Sequence, residues 1–171
     1  MPTIADALSV LRLALAFVFP AALARGGLLP VVLFVVAAVT DYIDGPIARR
    51  RGTASARGGI LDNIADIAFV LGGATAGAML GLASWAAPLA ITASVTGYVL
   101  ASRDQTQREA TTVLARSRVG HAAGVMNYVL AGTLAARQAL AALVPIELVT
   151  VVVWGTVAVN TAAVGVRLRP R

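Results

Sequence analysis

Residues 41–66 read DYIDGPIARRRGTASARGGILDNIAD and place aspartates at positions 41, 44, 62 and 66 of a chain whose residues are 58% hydrophobic. At the centre of a bilayer an ionised carboxylate costs about 2.5 to 3.5 kcal/mol, so four unpaired ones would cost about 10 to 14 kcal/mol. The first two aspartates are three residues apart and the last two are four apart, which puts each pair on one helix face. Two such faces could share divalent cations, and the cations would offset the charge.

The composition around this segment indicates an integral membrane protein. Only 13% of the 171 residues are charged and 5% are aromatic, which is too apolar for an ordinary soluble domain. The chain has no cysteine, so a disulfide framework, a thiolate metal site and a cysteine nucleophile are excluded. The net charge is +6, but a basic soluble face with interleaved aromatic residues is missing, so we expect no nucleic-acid partner.

Apolar stretches of the length that a helix needs to cross the hydrocarbon core recur along the chain. They lie at about 8–25, 28–47, 60–80, 85–101, 119–141 and 146–166. Glycine-rich and polar segments, including 52–59 and 102–118, separate them. The sequence therefore predicts an all-α bundle of six transmembrane helices that forms a single domain over residues 1–171.

Arginines are unevenly distributed among the predicted loops. Four lie between the second and third apolar stretches, four lie between the fourth and fifth, and three follow the sixth. The opposite loops hold only Arg25 and Arg137. The positive-inside rule then places both termini in the cytoplasm of a multi-pass protein of the cell membrane, with the aspartate segment facing the cytoplasm.

The residue types in the aspartate segment suit a metal-bound diphosphate. Carboxylates are hard oxygen ligands of the kind that Mg²⁺ or Mn²⁺ takes, and two ions about 3.5 to 4 Å apart could stabilise both oxygens of an in-line displacement. Gly45 and Ala48 have little bulk, so a flat group could lie against the backbone there. Arg49 offers a planar fork for phosphate oxygens, Ser55 a hydroxyl donor and Gly58 a close backbone approach.

Written as a pattern, the segment is D-x2-D-G-x2-A-R-x8-G-x3-D-x3-D. It resembles the signature of the CDP-alcohol phosphotransferase family, and every fixed position of that signature is present. The resemblance implies a phospholipid-synthesis enzyme that transfers a phosphatidyl-type group from a CDP-linked lipid, such as CDP-diacylglycerol, to an alcohol and releases CMP. It also implies dependence on Mg²⁺ or Mn²⁺, contact with membrane lipids, and a homodimer.

The same resemblance implies roles for individual residues. Two divalent ions would be held by Asp41, Asp44, Asp62 and Asp66. Asp66 would also be the general base that takes the proton from the acceptor hydroxyl. The residues that would seat the cytidine and its diphosphate are Gly45, Ala48, Arg49, Ser55 and Gly58.

Three polar residues near the start of the fifth apolar stretch are candidates for the acceptor site. Arg116, Arg118 and His121 could bind an acceptor alcohol that carries a phosphate. The alternative is that the arginines only satisfy the positive-inside rule and that the histidine makes a local hydrogen bond. The position after the last aspartate is a lysine in many bacterial phosphatidylglycerophosphate synthases and is Ile67 here, so the acceptor stays open.

The amino-terminal run from Asp6 to Arg12 resembles the family's Asn-x-Leu-Thr-x-x-Arg element, with Asp6 in place of Asn and Ser9 in place of Thr. It would close the nucleotide pocket from the first helix. Alternatively, Asp6 or Ser9 caps that helix. Because Arg12 lies inside an apolar stretch, we expect it to be paired or functional.

Other polar and small residues in the apolar stretches predict helix packing. Asn127, Tyr128 and Asn160 are expected to form hydrogen bonds between helices, and the small residues of 71–78 are expected to let helices approach closely.

Two other functions compete with the enzyme. An acidic intramembrane site is also typical of a cation or proton-coupled transporter. A scaffold would bind nucleotide without releasing CMP. A purely structural role would pair the aspartates with Arg49, Arg50, Arg51 and Arg57.

Overall fold

The computed structural model describes residues 4–50, 56–109 and 118–168, and the side chains of residues 6–43, 58–103 and 118–167. All of the regular structure in these ranges is helical, which confirms the all-α prediction. The helices are α1 (Ile4–Arg25), α2 (Leu29–Arg50), α3 (Ala56–Met79), α4 (Ala86–Glu109), α5 (Arg118–Ala139) and α6 (Ile146–Leu168).

Two predicted boundaries between helices are wrong. The segments 52–59 and 102–118 were expected to be loops, but α3 already begins at Ala56 and α4 continues to Glu109. Hydropathy identifies the part of a helix that is apolar enough to lie in lipid. The helix itself can extend further, through polar residues that have a high helix propensity. Arg, Gln and Glu, which are frequent in residues 103–109, are good helix formers in water.

The turn between α1 and α2 depends on two glycines. Gly26 and Gly27 have φ angles of 73° and 74°, a left-handed conformation that costs glycine little. The Gly26 N–H donates to the carbonyl of Leu23 at 3.3 Å, and the Gln138 side chain donates to the same carbonyl at 2.7 Å. A residue of α5 therefore caps α1, which fixes these two helices at the same end.

The three odd-numbered helices run in the same direction, because the residue numbers of their contacts rise together. Short connections at 26–28, 80–85 and 140–145 reverse the chain between them and the even-numbered helices. The pairs that show this are Arg12 with Asp66 and Phe19 with Gly73 between α1 and α3, then Tyr128 with Asp66 and Leu134 with Gly77 between α3 and α5.

Glycines in α3 allow these helices to approach closely. A Cβ atom added at Gly73 would lie 2.7 Å from the Phe19 ring, and one at Gly77 would lie 2.7 Å from a methyl carbon of Leu134. This confirms the predicted packing role of the small residues in 71–78.

Aromatic rings fill the centre of the bundle between α1, α3 and α5. Phe19 and Phe69 are fully buried and stack with their ring centroids 4.5 Å apart. The Tyr128 ring follows at 6.1 Å from Phe69, and the Phe34 ring of α2 lies 6.5 Å from Tyr128. These contacts are within the usual range for paired aromatic rings.

The outer surface is apolar on several helices, as expected for a multi-pass membrane protein. Phe17, Leu89 and Val151 are each more than 60% exposed, at 77%, 67% and 68%. Within the described residues, three helices contain segments that are long and apolar enough to cross a membrane: Asp6–Arg25, Gly58–Met79 and Ile146–Arg167. Six crossings and the orientation of the chain stay predictions.

Candidate active site

Asp41, Asp62 and Asp66 meet where α2 and α3 face α1. Asp62 and Asp66 lie on successive turns of α3 and therefore on one face. One carboxylate oxygen from each of the three residues lies within 4.8 Å of the other two. The structure thus brings together three of the four aspartates singled out in the sequence.

Arg12 of α1 lies among these carboxylates. Its Nη1 atom is 2.6 Å from Asp66 Oδ1, 2.7 Å from Asp62 Oδ1 and 3.4 Å from Asp41 Oδ1, and the side chain is fully buried. The expectation that Arg12 is paired is confirmed. The side chains of Arg49, Arg50, Arg51 and Arg57, which the structural alternative paired with the aspartates, lie outside the described ones.

Ser9 lies one turn before Arg12 and belongs to the same cluster. Its hydroxyl donates to Asp62 Oδ1 over a long 3.4 Å. The alternative that Ser9 caps the first helix is wrong, because α1 begins at Ile4 and Ser9 is in its second turn. The run from Asp6 to Arg12 therefore contributes to the aspartate site through its last two polar residues.

Tyr128 of α5 adds a second strong donor to Asp66. Its hydroxyl donates to Asp66 Oδ1 at 2.7 Å, the same oxygen that Arg12 contacts. The predicted hydrogen bond between helices is confirmed, but its partner was missed. The partner depends on how α3 and α5 align in the bundle, which the sequence pattern does not give.

The predicted polar contact between α5 and α6 is also present. The buried side-chain amide of Asn160 donates to Asn127 Oδ1 at 2.7 Å and to the Thr156 carbonyl at 2.9 Å. Because Asn127 precedes Tyr128, this contact also restrains the turn of α5 that carries the Tyr128 hydroxyl.

The charge and exposure of the cluster suit a bound cation. Among the described side chains, one guanidinium faces three carboxylates, and the side chains of Asp41, Asp62 and Asp66 remain 38%, 34% and 27% exposed. Opposite ligands of an octahedral Mg²⁺ lie about 4.2 Å apart, so oxygens within 4.8 Å of one another are near enough to share one ion. Hard oxygen donors, a surplus of carboxylates among the described side chains and partial access to solvent fit Mg²⁺ or Mn²⁺.

The remaining predicted site residues divide into three groups. Gly58 lies one turn before Asp62, at the start of α3. Arg118 and His121 are exposed in the first turn of α5, and neither contacts an aspartate in the part of the chain that the structure describes. Ser55 and Arg116 lie outside the described residues, and so do the side chains of Asp44, Gly45, Ala48 and Arg49.

Comparison with known families adds one finding to this geometry. A family model described as CDP-alcohol phosphatidyltransferase matches residues 2–161, which is nearly the whole chain and includes every helix that contributes to the cluster. No individual curated protein matches the chain.

Proposed function

The chain belongs to the CDP-alcohol phosphatidyltransferase family, a family of transferases of substituted phosphate groups. From this membership we propose that it transfers a phosphatidyl-type group from a CDP-linked lipid, such as CDP-diacylglycerol, to an alcohol and releases CMP. The observation that carries the proposal is the convergence of Asp41, Asp62 and Asp66, which stand at the family's spacing, on one partly exposed site.

The aspartates would hold the divalent cations. Asp41, Asp62 and Asp66 supply the oxygen donors of the described site, and Asp44 would complete the set from the following turn of α2. When bound, Mg²⁺ or Mn²⁺ would offset the negative charge that develops on the diphosphate during transfer.

Asp66 would also accept the proton of the acceptor alcohol. The acceptor oxygen forms a bond to the lipid-side phosphorus, the bond from that phosphorus to the bridging oxygen breaks, and the electron pair leaves with CMP. Because Tyr128 donates to Oδ1 of Asp66, that carboxylate is held in one orientation and Oδ2 is the oxygen that takes the proton.

The substrate-binding residues would lie on the side of the aspartates that is nearer the amino-terminal ends of α3 and α5. Gly45, Ala48, Arg49, Ser55 and Gly58 would seat the cytidine and diphosphate. Arg116, Arg118 and His121 would receive an acceptor that carries a phosphate. The donor's acyl chains would enter from the bilayer, and the enzyme would work as a homodimer with this site facing the cytoplasm.

The experiment is an assay of CMP release by the purified protein with CDP-diacylglycerol, Mn²⁺ and a panel of alcohols, in which mass spectrometry identifies the product lipid. We expect Asp62→Asn and Asp66→Asn to reduce CMP release by at least about a thousandfold, because each removes charge from the reacting site. Glu147→Gln is the matched control, since Glu147 is exposed in the first turn of α6.

Normal turnover by both aspartate variants would contradict the mechanism. The partly exposed acidic cluster on apolar helices also suits a cation or proton-coupled transporter. That alternative predicts ion flux in liposomes without any dependence on a cytidine nucleotide, and nucleotide binding without CMP release would indicate a scaffold.

A further inference from the structure

Arg12 places a single nitrogen atom among three carboxylates. Its Nη1 lies 2.6 Å from Asp66, 2.7 Å from Asp62 and 3.4 Å from Asp41. The arginine is 0% exposed and belongs to the segment Asp6–Arg25, which is apolar enough to cross a membrane. A fully buried guanidinium in an apolar helix is stabilised by these carboxylates, and it in turn reduces the repulsion between them.

We propose that Arg12 is the internal cation of this cluster: it holds the three carboxylates together in the metal-free protein and competes with the divalent cation for them. The inference rests on the metal site of the proposed function and extends it to a residue of α1. Arg12 lies outside the aspartate motif, and its role would be to position the carboxylates when no metal is bound.

Distances show why the two cations compete. A metal ion bound about 2.1 Å from Asp62 Oδ1 would lie no more than about 4.8 Å from Nη1, because Nη1 is itself 2.7 Å from that oxygen. A monovalent and a divalent cation this close repel each other strongly outside bulk water. Metal binding therefore requires the guanidinium to give up part of its contact with the carboxylates.

The exchange would involve the Arg12 side chain rather than the whole helix. One to two turns further along α1, a Cβ added at Gly72 would lie 3.4 Å from the Ala16 carbonyl, and one at Gly73 would lie 2.7 Å from the Phe19 ring. Such close contact between α1 and α3 leaves little room for α1 to slide. The flexible arginine side chain is the part that can move.

Competition has two linked consequences. Without Arg12 the carboxylates repel one another, so the metal-free protein should be less stable. The same loss removes a competitor, so the metal should bind more tightly and stabilise the variant more than it stabilises the wild type.

The test uses the full-length protein in detergent, with Mn²⁺ alone as the probe. Calorimetric titration gives the dissociation constant, and thermal unfolding is followed in chelator and in saturating Mn²⁺. We expect Arg12→Gln to lower the dissociation constant for Mn²⁺ by at least about tenfold and to lower the melting temperature in chelator but not in Mn²⁺. Arg137→Gln is the matched control, because Arg137 donates to the carbonyls of Ala141 and Val144 at the other end of α5.

Unchanged or weaker Mn²⁺ binding by Arg12→Gln would overturn the proposal, and so would failure of the variant to fold when it is purified in Mn²⁺. Arg12→Lys keeps the charge on a shorter side chain and should bind Mn²⁺ with an affinity between those of the wild type and Arg12→Gln. If the wild type and Asp62→Asn both bind no Mn²⁺, the metal site of the proposed function fails as well. If the wild type binds Mn²⁺ and Arg12→Gln does not bind it more tightly, only the role of Arg12 fails.

Discussion

At the scale of single residues, Asp66 is held from two helices among the described side chains. It accepts hydrogen bonds from Arg12 at 2.6 Å and from Tyr128 at 2.7 Å, both on Oδ1. Hydrogen bonds to a charged group contribute about 1.5 to 3 kcal/mol each. The hydrogen bond from the Tyr128 hydroxyl is therefore strong enough to fix the orientation of the carboxylate relative to a substrate.

Removal of that hydroxyl should affect turnover more than binding. We expect Tyr128→Phe to lower kcat about tenfold to a hundredfold with little change in KM, because each 1.36 kcal/mol of lost transition-state stabilisation is a factor of ten. The phenylalanine ring keeps the packing against Phe69 and Phe34, so the loss of stability should not exceed that of one hydrogen bond to a charged group, about 1.5 to 3 kcal/mol.

The control for this variant is Tyr98→Phe. Tyr98 of α4 lies under the Arg167 guanidinium at 5.5 Å, and a phenylalanine ring preserves that contact. A loss of activity in Tyr98→Phe as large as in Tyr128→Phe would show that the effect is not specific to Asp66.

The sequence predicts some of these residues and not others for a physical reason. Asp41, Asp62 and Asp66 stand out because charge in an apolar segment is costly, and Arg12 stands out on the same ground. Tyr128 is not costly in a membrane helix, so nothing local marks it. Its partner is set by how α3 and α5 align, and that alignment depends on packing between residues far apart in sequence.

At the scale of helices, the number and type of elements follow from hydropathy, but their ends do not. The predicted fourth apolar stretch ended near residue 101, whereas α4 continues to Glu109. Lipid compatibility changes at the membrane surface, while helix propensity does not. The residues that let helices approach closely, such as Gly73, were predicted as a group because small side chains recur along α3.

Among the described glycines of α3, Gly73 leaves the least room for a side chain toward α1. We expect Gly73→Ala to destabilise the protein by about 1 to 3 kcal/mol, because the new methyl group overlaps the buried Phe19 ring, which lies 2.7 Å from that position. Thermal unfolding in detergent measures the loss.

Gly124→Ala is the matched control for this prediction. A Cβ at Gly124 has no neighbour within 4 Å among the described residues, so the better helix propensity of alanine should leave stability unchanged or raise it by up to about 1 kcal/mol. Equal destabilisation by both variants would contradict the packing role of Gly73.

At the scale of the whole molecule, the parallel course of α1, α3 and α5 puts Arg118 and His121, two of the three candidates for the acceptor site, at the same end of the bundle as the start of α3. The arginine distribution along the sequence predicts, through the positive-inside rule, that this end faces the cytoplasm.

Because the chain has no cysteine, single introduced cysteines report the orientation directly. Leu143, 75% exposed between α5 and α6, and Arg103, exposed near the carboxyl end of α4, lie at opposite ends of the bundle. A membrane-impermeant maleimide should label Leu143→Cys in intact cells and Arg103→Cys only after permeabilisation. The reverse pattern would contradict the predicted orientation, and retained CMP release by both variants would show that labelling reports the native fold.

The stacked aromatic rings at the centre of the bundle affect whether an ion could pass through it. Phe19 and Phe69 are fully buried between the aspartates and the end of α1, and Leu23 and Leu134 are fully buried beyond them. An ion that reached the carboxylates would find hydrocarbon on their far side and would return by the way it came. Within the described residues, this arrangement favours the proposed enzyme, which would admit and release its substrates from one side, over a transporter that moves ions across the membrane.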